Sequence, residues 1–261
     1  MNIEGFAFAS PEKEDIPELK DLFGKTFGES EEFLSAFFSL AFSEERAAAL
    51  FRLGNPIAAL YWFDCAFEDK KIAYIYGVAT DKEYRGRGIG SRLLNETHIL
   101  LKAKGYAGAI LVPQNEGLFS FYEKFGYEKC TQHREFKAEL KENALGTAEF
   151  VKEISKEEYA IERKKHLPEG AVIQEGENLV FLASYNRFFC GGGFVCAAAR
   201  EKDRLFCPEF LGNEGGACQV LAALGAKEGI FRTVGSGRVF TMYKSLTDEK
   251  TRPAYFAFAF D

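Results

Sequence analysis

The sequence predicts an α/β (α+β) fold: a mixed central sheet flanked by helices, followed by a second, smaller α+β domain. Three observations carry this. Strand-like and helix-like apolar patterns alternate along the chain. Within residues 72–112 a strand, a glycine-rich loop, a helix and another strand follow one another directly. The length of 261 residues is long for one average domain and comfortable for two.

Residues 3–9 alternate apolar and small side chains and suit a first strand, and Ser10 and Pro11 open a turn. Residues 15–27 read as a helix with Ile16, Leu19, Leu22, Phe23 and Phe27 toward the core, ended by Gly28. Ser30, with Glu31 and Glu32 behind it, starts a second helix reaching residue 42, whose apolar side is Phe33, Phe37 and Phe38. Residues 47–52 and 57–67 flank the turn Leu53-Gly54-Asn55-Pro56 as an antiparallel hairpin. The turn at 68–71 leads to IAYIYGVA, residues 72–79, a run of β-branched and aromatic residues that marks a buried strand.

A charged turn at 81–84 precedes Arg85-Gly86-Arg87-Gly88-Ile89-Gly90. The helix that follows carries Ile89, Leu93, Leu94, Leu100 and Leu101 on one broad face and closes with Lys102, Lys104 and Gly105. Residues 107–112 form the next strand, so the two strands should lie parallel with a right-handed crossover. A short helix at 118–125 stops at Gly126, and residues 127–140 alternate as a further strand.

The polar link at 142–146 sets the domains at 1–140 and 147–261. Beyond it, 155–167 reads as a charged helix, and 179–183, 188–199, 204–211, 229–234 and 254–260 as strands, with a short helix at 217–224. Gly191-Gly192-Gly193 precedes no helix and reads as a hairpin or bulge.

The glycine loop has the chemistry of an anion site. At a helix start several backbone N–H groups lack internal partners, and the dipole adds about half a positive charge. Gly86, Gly88 and Gly90 clear side chains from those donors, which include Ile89 and Ser91, while Arg85 and Arg87 can add charge-assisted bonds to phosphate. The Gly-Lys-Ser/Thr ending of a nucleotide P-loop is missing. The dinucleotide pattern fails as well, because its third glycine falls on Ser91.

Arg85-x-x-Gly88-x-Gly90, following Gly77-Val78-Ala79-Thr80, resembles the acetyl-CoA motif of the GNAT superfamily of N-acetyltransferases, and the element order over residues 1–140 resembles the GNAT fold. The resemblance implies that Arg85, Gly86, Arg87, Gly88, Ile89, Gly90 and Ser91 hold the CoA pyrophosphate. It also implies that the backbone of Val78, Ala79 and Thr80 pairs with the pantetheine arm. The segment NEGLFSFYEKFGYEK looks like the GNAT stretch in which Asn115 would contact that arm and Tyr122 would protonate the leaving thiolate. The cosubstrate implied is acetyl-CoA and the acceptor an amine, on a small molecule or a peptide.

No carboxylate lies on residues 73–79 to serve as base. Tyr74 and Tyr76 could order a water, and Asp64, Glu68 and Glu116 would serve only if folded inward. A wider resemblance, to Eis-type proteins that pair a GNAT domain with a degenerate one, suggests the terminal carboxylate of Asp261. The second half resembles such a degenerate GNAT-like domain: VFTMYKSL from Val239 echoes LFSFYEKF from Leu118, with Tyr243 in the register of Tyr122. Asn213-Glu214-Gly215-Gly216-Ala217 stands where the first half has its glycine loop. That half is expected to bind no CoA and to shape the acceptor site.

Composition narrows the classes. A formal charge of −6 disfavours a general nucleic-acid binder, and 47% apolar residues with 27 phenylalanines supply a large aromatic core. No segment approaches the roughly 20 apolar residues of a membrane span, and residues 1–15 lack a secretory pattern. The six cysteines show no metal spacing and read as thiols of a reducing cytoplasm; no metal is expected. His98, His133 and His166 read as surface residues. A homo-oligomer is compatible with the chain.

Overall fold

The computed structural model describes residues 5–141 and 149–260. In chain order the strands are β1 (Ala7–Ala9), β2 (Ala47–Arg52), β3 (Asn55–Phe67), β4 (Lys70–Thr80), β5 (Gly108–Leu111), β6 (Glu128–Lys129), β7 (Gln132–Glu139), β8 (Lys152–Ile154), β9 (Ile173–Gln174), β10 (Arg187–Gly191), β11 (Phe194–Glu201), β12 (Arg204–Gly212), β13 (Glu228–Val239) and β14 (Met242–Ser245). The helices are α1 (Ile16–Phe27), α2 (Glu31–Leu40), α3 (Ile89–Ala103), α4 (Glu116–Glu123), α5 (Lys156–His166), α6 (Glu177–Leu182) and α7 (Ala217–Leu224). The chain divides into two compact units, residues 1–128, 176–181 and 242–251, and residues 129–175, 182–241 and 252–261.

In the first unit the strands run in the order β1-β2-β3-β4-β5-β14. Neighbours from β1 to β4 are antiparallel, β5 is parallel to β4, and β14 returns antiparallel to β5. The parallel pair is the one expected from the strand–helix–strand run at 72–112. Helix α3 buries Ile89, Leu93, Leu94 and Leu101 and packs on β2, β3 and β4. Helices α1 and α2 cover β3 and β4 with aromatic rings: Phe37 lies 5.5 Å from Phe23, 5.0 Å from Tyr61 and 5.6 Å from Phe181 of α6. Ser30 caps α2 by accepting the Phe33 N–H at 3.2 Å, which leaves Glu31 and Glu32 on the positive end of the dipole.

The second unit repeats this topology in the order β8-β10-β11-β12-β13-β7. Strands β10, β11 and β12 form an antiparallel meander; α7 then crosses over to β13, which lies parallel to β12. The last strand of each sheet is exchanged. Strand β7, which follows α4 of the first unit, pairs with β13; β14, which follows β13, pairs with β5. At the centre of the second unit the Glu209 carboxylate, fully buried, accepts from Arg163 Nε at 2.7 Å and Nη2 at 3.1 Å and from the hydroxyls of Tyr159 at 2.5 Å and Tyr255 at 3.0 Å. Every oxygen lone pair of consequence there has a donor, the condition under which a buried ion is tolerated.

Four expectations need correction. Residues 179–183 belong to α6, a helix, because a short apolar run has no period to separate strand from buried helix. Residues 127–140 do not extend the first sheet: β7 pairs with β13. Residues 255–260 are buried but form no strand: their one ladder-type contact is an isolated parallel bridge from Tyr255 to Ala171, and the Gln174 side chain accepts the N–H groups of Ala257 and Phe258 and donates to the Phe258 carbonyl. The echo between LFSFYEKF and VFTMYKSL is not structural, since the first is helix α4 and the second ends β13 and forms β14, where Tyr243 pairs with Ile110.

The exchange makes the first sheet depend on the second half of the sequence. A chain ending at residue 141 keeps the glycine loop but loses β14 and Phe181, exposing the edge of β5 and the aromatic face of β3 and β4. Such a chain should lack a cooperative thermal transition and elute as aggregate; a sharp melt from a monomer would show that the exchanged strand is dispensable.

Candidate active site

The glycine loop connects β4 to α3 through a short 3-10 turn, Lys82–Tyr84, that Asp81 caps by accepting the Glu83 N–H at 2.8 Å. Gly86 and Gly88 take φ values of 73° and 80°, a left-handed backbone that only glycine adopts without strain. A Cβ built on either meets nothing within 4 Å, so the space before them is open. The first backbone bond of α3 joins the Arg92 N–H to the Gly88 carbonyl at 2.9 Å, which leaves the earlier N–H groups, from Gly88 to Ser91, without partners inside the helix. Gly90 is required for a different reason: a Cβ there would come within 3.2 Å of Thr80 Oγ1, so its absence lets the helix start close on the end of β4.

The arginines are held differently. Arg85 Nε donates to the Thr80 carbonyl at 2.9 Å, which folds its side chain across the strand end. The Arg87 guanidinium lies 5.8 Å from the centre of the Tyr84 ring, and Arg52 bonds the Tyr84 hydroxyl at 2.9 Å. Three arginines thus gather at the end of β4 and around Tyr84, next to the loop in sequence or contact.

Strands β4 and β5 part just before it. Their parallel pairing runs through Ile72, Ala73 and Tyr74 of β4, whereas β4 itself continues to Thr80. On the β3 side the register slips between Ala59 and Tyr61, so Gly77 and Val78 oppose Leu60 alone. Gly77, at φ 61°, makes this bulge; a Cβ on it would strike Phe23 at 2.5 Å and Tyr61 at 3.1 Å. Val78, Ala79 and Thr80 thus lie on a length of β4 with no β5 ladder opposite it, an edge that an extended chain can join.

Tyr122, on α4, is 6% exposed, and burial pushes its phenol well above the ordinary value, so the group stays protonated. Its ring meets Tyr127 edge-on at 5.7 Å. Asn115 caps α4, accepting the Leu118 N–H at 3.1 Å, and stands exposed at the helix start. The alternative bases do not gather here. Asp64 pairs with Lys71 at 2.9 Å and accepts from the Tyr106 hydroxyl, and Glu68 lies in the β3–β4 turn. Asp64 stands opposite Ala73, seven residues before Thr80, or roughly 23 Å along the strand. Glu116 is exposed in the first turn of α4. Asp261 lies outside the described residues.

Residues 8–130 match the family model described as Acetyltransferase (GNAT) domain. The first unit carries a GNAT acetyltransferase domain. No curated protein matches the sequence significantly. Among solved structures, a GCN5-related N-acetyltransferase from Kribbella flavida superposes with a TM-score of 0.70 at 15% identity, over 94% of this chain and 72% of that one. A GCN5-related N-acetyltransferase from Anabaena variabilis gives 0.68 at 12%, over 93% and 73%. Eis1 from Mycobacterium abscessus gives 0.64 at 12%, over 92% and 73%. At such identities the likeness is one of fold, and it extends through both units.

The second unit's counterpart of the GNAT loop is filled from within. Asn213 accepts the Gly215 N–H at 3.0 Å, and Glu214, at the helix start, forms an ion pair with Arg134. The Phe194 ring occupies the space beside Gly216, where a Cβ would fall 2.2 Å from it.

Three features escaped the sequence reading. Gly77 inside a strand pattern was a signal for the bulge. His98 and His133, expected at the surface, are buried. For His98 the signal was its place at the spacing of Leu94 and Leu101 on the apolar face of α3. Burial, with the Lys244 ammonium adding to it, pushes the His98 imidazole down to about 4 from 6.5. Between those values the unfolded chain takes up a proton that the folded chain refuses, so stability falls as pH drops through this window and is unaffected by this group above it. At about 1.4 kcal/mol per pH unit the loss by pH 4 is on the order of 3 kcal/mol. Melting temperatures from pH 7 to pH 4.5 should therefore fall more steeply for the wild type than for His98→Gln, and parallel curves would show that His98 does not titrate as its burial requires.

Proposed function

We propose that the first unit transfers the acetyl group of acetyl-CoA to a primary amine by direct attack, with Tyr122 as the acid. The observation that carries the reading is the open loop at the start of α3, set against a length of β4 that has parted from β5. In this reading the N–H groups from Gly86 to Ser91, with Arg85 and Arg87, receive the pyrophosphate. Val78, Ala79 and Thr80 bond the pantetheine arm through their backbone, as a further strand would. The Asn115 carbonyl is occupied in capping α4, which leaves its amide NH2 to reach the same arm.

Held this way, the thioester carbon faces a neutral amine. The C–N bond forms, the C–S bond breaks, and Tyr122 supplies the proton that the departing sulfur takes up. A phenol whose pKa is raised by burial is protonated at neutral pH and suits that role. The attacking nitrogen releases its own proton to water, because Asp64 and Glu68 stand at the far end of β4. The acceptor is an amine of a small molecule or a peptide.

Acetyl-CoA should raise the melting temperature, since it binds the folded state alone. Gly88→Glu places a carboxylate on the open side of the loop and should abolish the shift. Titration calorimetry should find one acetyl-CoA per chain, lost with Gly88→Glu and unchanged by Glu214→Ala. Two sites, or a surviving site in a folded Gly88→Glu chain, would overturn the loop assignment.

Tyr122→Phe keeps the ring and removes the proton. Turnover, read as thiol release, should fall by about 10²–10⁴-fold with acetyl-CoA affinity and melting temperature nearly unchanged. Turnover close to wild type, with chemistry limiting, would remove Tyr122 from the mechanism.

A further inference from the structure

We infer that Tyr127 and His98 are positioning residues for the acid Tyr122: a buried tyrosine–histidine bracket that fixes the Tyr122 ring against α3. The inference rests on the reading of Tyr122 as the acid and adds what holds that acid in place.

Helix α4 has only 8 residues, too short to hold a side chain rigidly by itself. Its far end is pinned by Lys244 of β14, whose Nζ donates to the Phe125 carbonyl at 2.6 Å. Gly126, at φ 80°, then reverses the chain, and the Tyr127 N–H returns to the Tyr122 carbonyl at 3.3 Å. This places the Tyr127 ring edge-on to Tyr122 at 5.7 Å and 65°. The Tyr127 hydroxyl in turn bonds His98 Nε2 at 2.9 Å. His98 lies on α3, the 15-residue helix that starts at the end of the glycine loop. One chain of contacts therefore runs from the acid to the helix that starts at the loop.

The polar bond is informative because packing alone did not require it. Tyr127 and His98 are both buried, where an unpaired hydroxyl or imidazole costs about 1–3 kcal/mol. Apolar side chains of the same size would fill the space without that risk. What the hydrogen bond adds is direction: a ring held by contact alone can slide, whereas one tied at its hydroxyl to a fixed imidazole cannot. A displacement near 1 Å at a reacting group costs about 10²-fold in rate, so direction has a use here. The same burial keeps the imidazole neutral at pH 7, so the bracket carries no charge that would disturb the Tyr122 proton.

The test is a double-mutant cycle on the full chain. Its readout is thiol release from acetyl-CoA with the fastest of spermidine, kanamycin and an unblocked lysine peptide, or with water if none is faster. Tyr127→Phe should lower kcat about tenfold, the equivalent of one buried hydrogen bond, and leave the KM for acetyl-CoA unchanged. In the Tyr122→Phe background the same change should lower kcat no further. His98→Leu should behave like Tyr127→Phe, and His98→Gln, whose amide can still meet the Tyr127 hydroxyl, should restore most of the rate. An unchanged kcat in Tyr127→Phe, an additive loss in the double variant, or equal losses in His98→Leu and His98→Gln would each overturn the bracket. A wild-type kcat in Tyr122→Phe would instead remove the acid, and the bracket with it. If Tyr127→Phe does not fold, the two His98 variants decide.

Discussion

The parting of β4 from β5 is the constraint on which the catalytic unit depends. Parallel strands normally share an even ladder along their common length. Here the ladder stops at Tyr74, while β4 runs on to the glycine loop. The bulge at Gly77 bends β4 as the ladder ends, and Phe23 and Tyr61 close on the space a side chain would need. The rest follows from that opening. Backbone groups of β4 become available at an edge, the α3 start faces the same strand end, and α4, carrying Tyr122, comes next in the chain after β5.

The two units offer an internal comparison, because the same meander and parallel crossover were built twice. In the first, the loop glycines face open space. In the second, Phe194, Asn213 and the Glu214–Arg134 pair fill the equivalent place. An anion arriving there would have to displace an aromatic ring and overcome a carboxylate at a helix start. Topology is therefore shared and the open space at the loop is not. The difference lies in a handful of side chains rather than in the backbone.

Legibility from sequence followed the range of the interactions. The strand–loop–helix–strand run, the caps at Ser30 and Gly28, and the hairpin at Leu53 were all readable because each is set within a few residues. The position of the loop at the start of α3 was readable for the same reason: Gly86, Gly88, Arg85 and Arg87 are neighbours. Pairing between distant strands was not. Nothing local in QHREFKAE distinguishes a strand bound for β5 from one bound for β13, and the resemblance of YEKF to YKSL arises from a helix and a strand that happen to share letters. His98 was misread because its charged neighbours on α3 outweighed the apolar face to which it belongs.

The exchange of β7 and β14 also bears on why a half with a filled loop persists in the chain. Three contributions from its stretch of sequence enter the first unit: β14 along β5, Phe181 against Phe37 and Phe63, and Lys244 at the end of α4. Its own stability rests in part on a buried carboxylate with four donors, an arrangement in which removing one partner of the charge pair costs about 3–5 kcal/mol. On this account its retention needs no second cosubstrate site. It delivers a strand, a ring and an ammonium to fixed places in a unit that cannot supply them from its own stretch of sequence, and the ammonium is the one that pins the helix bearing Tyr122.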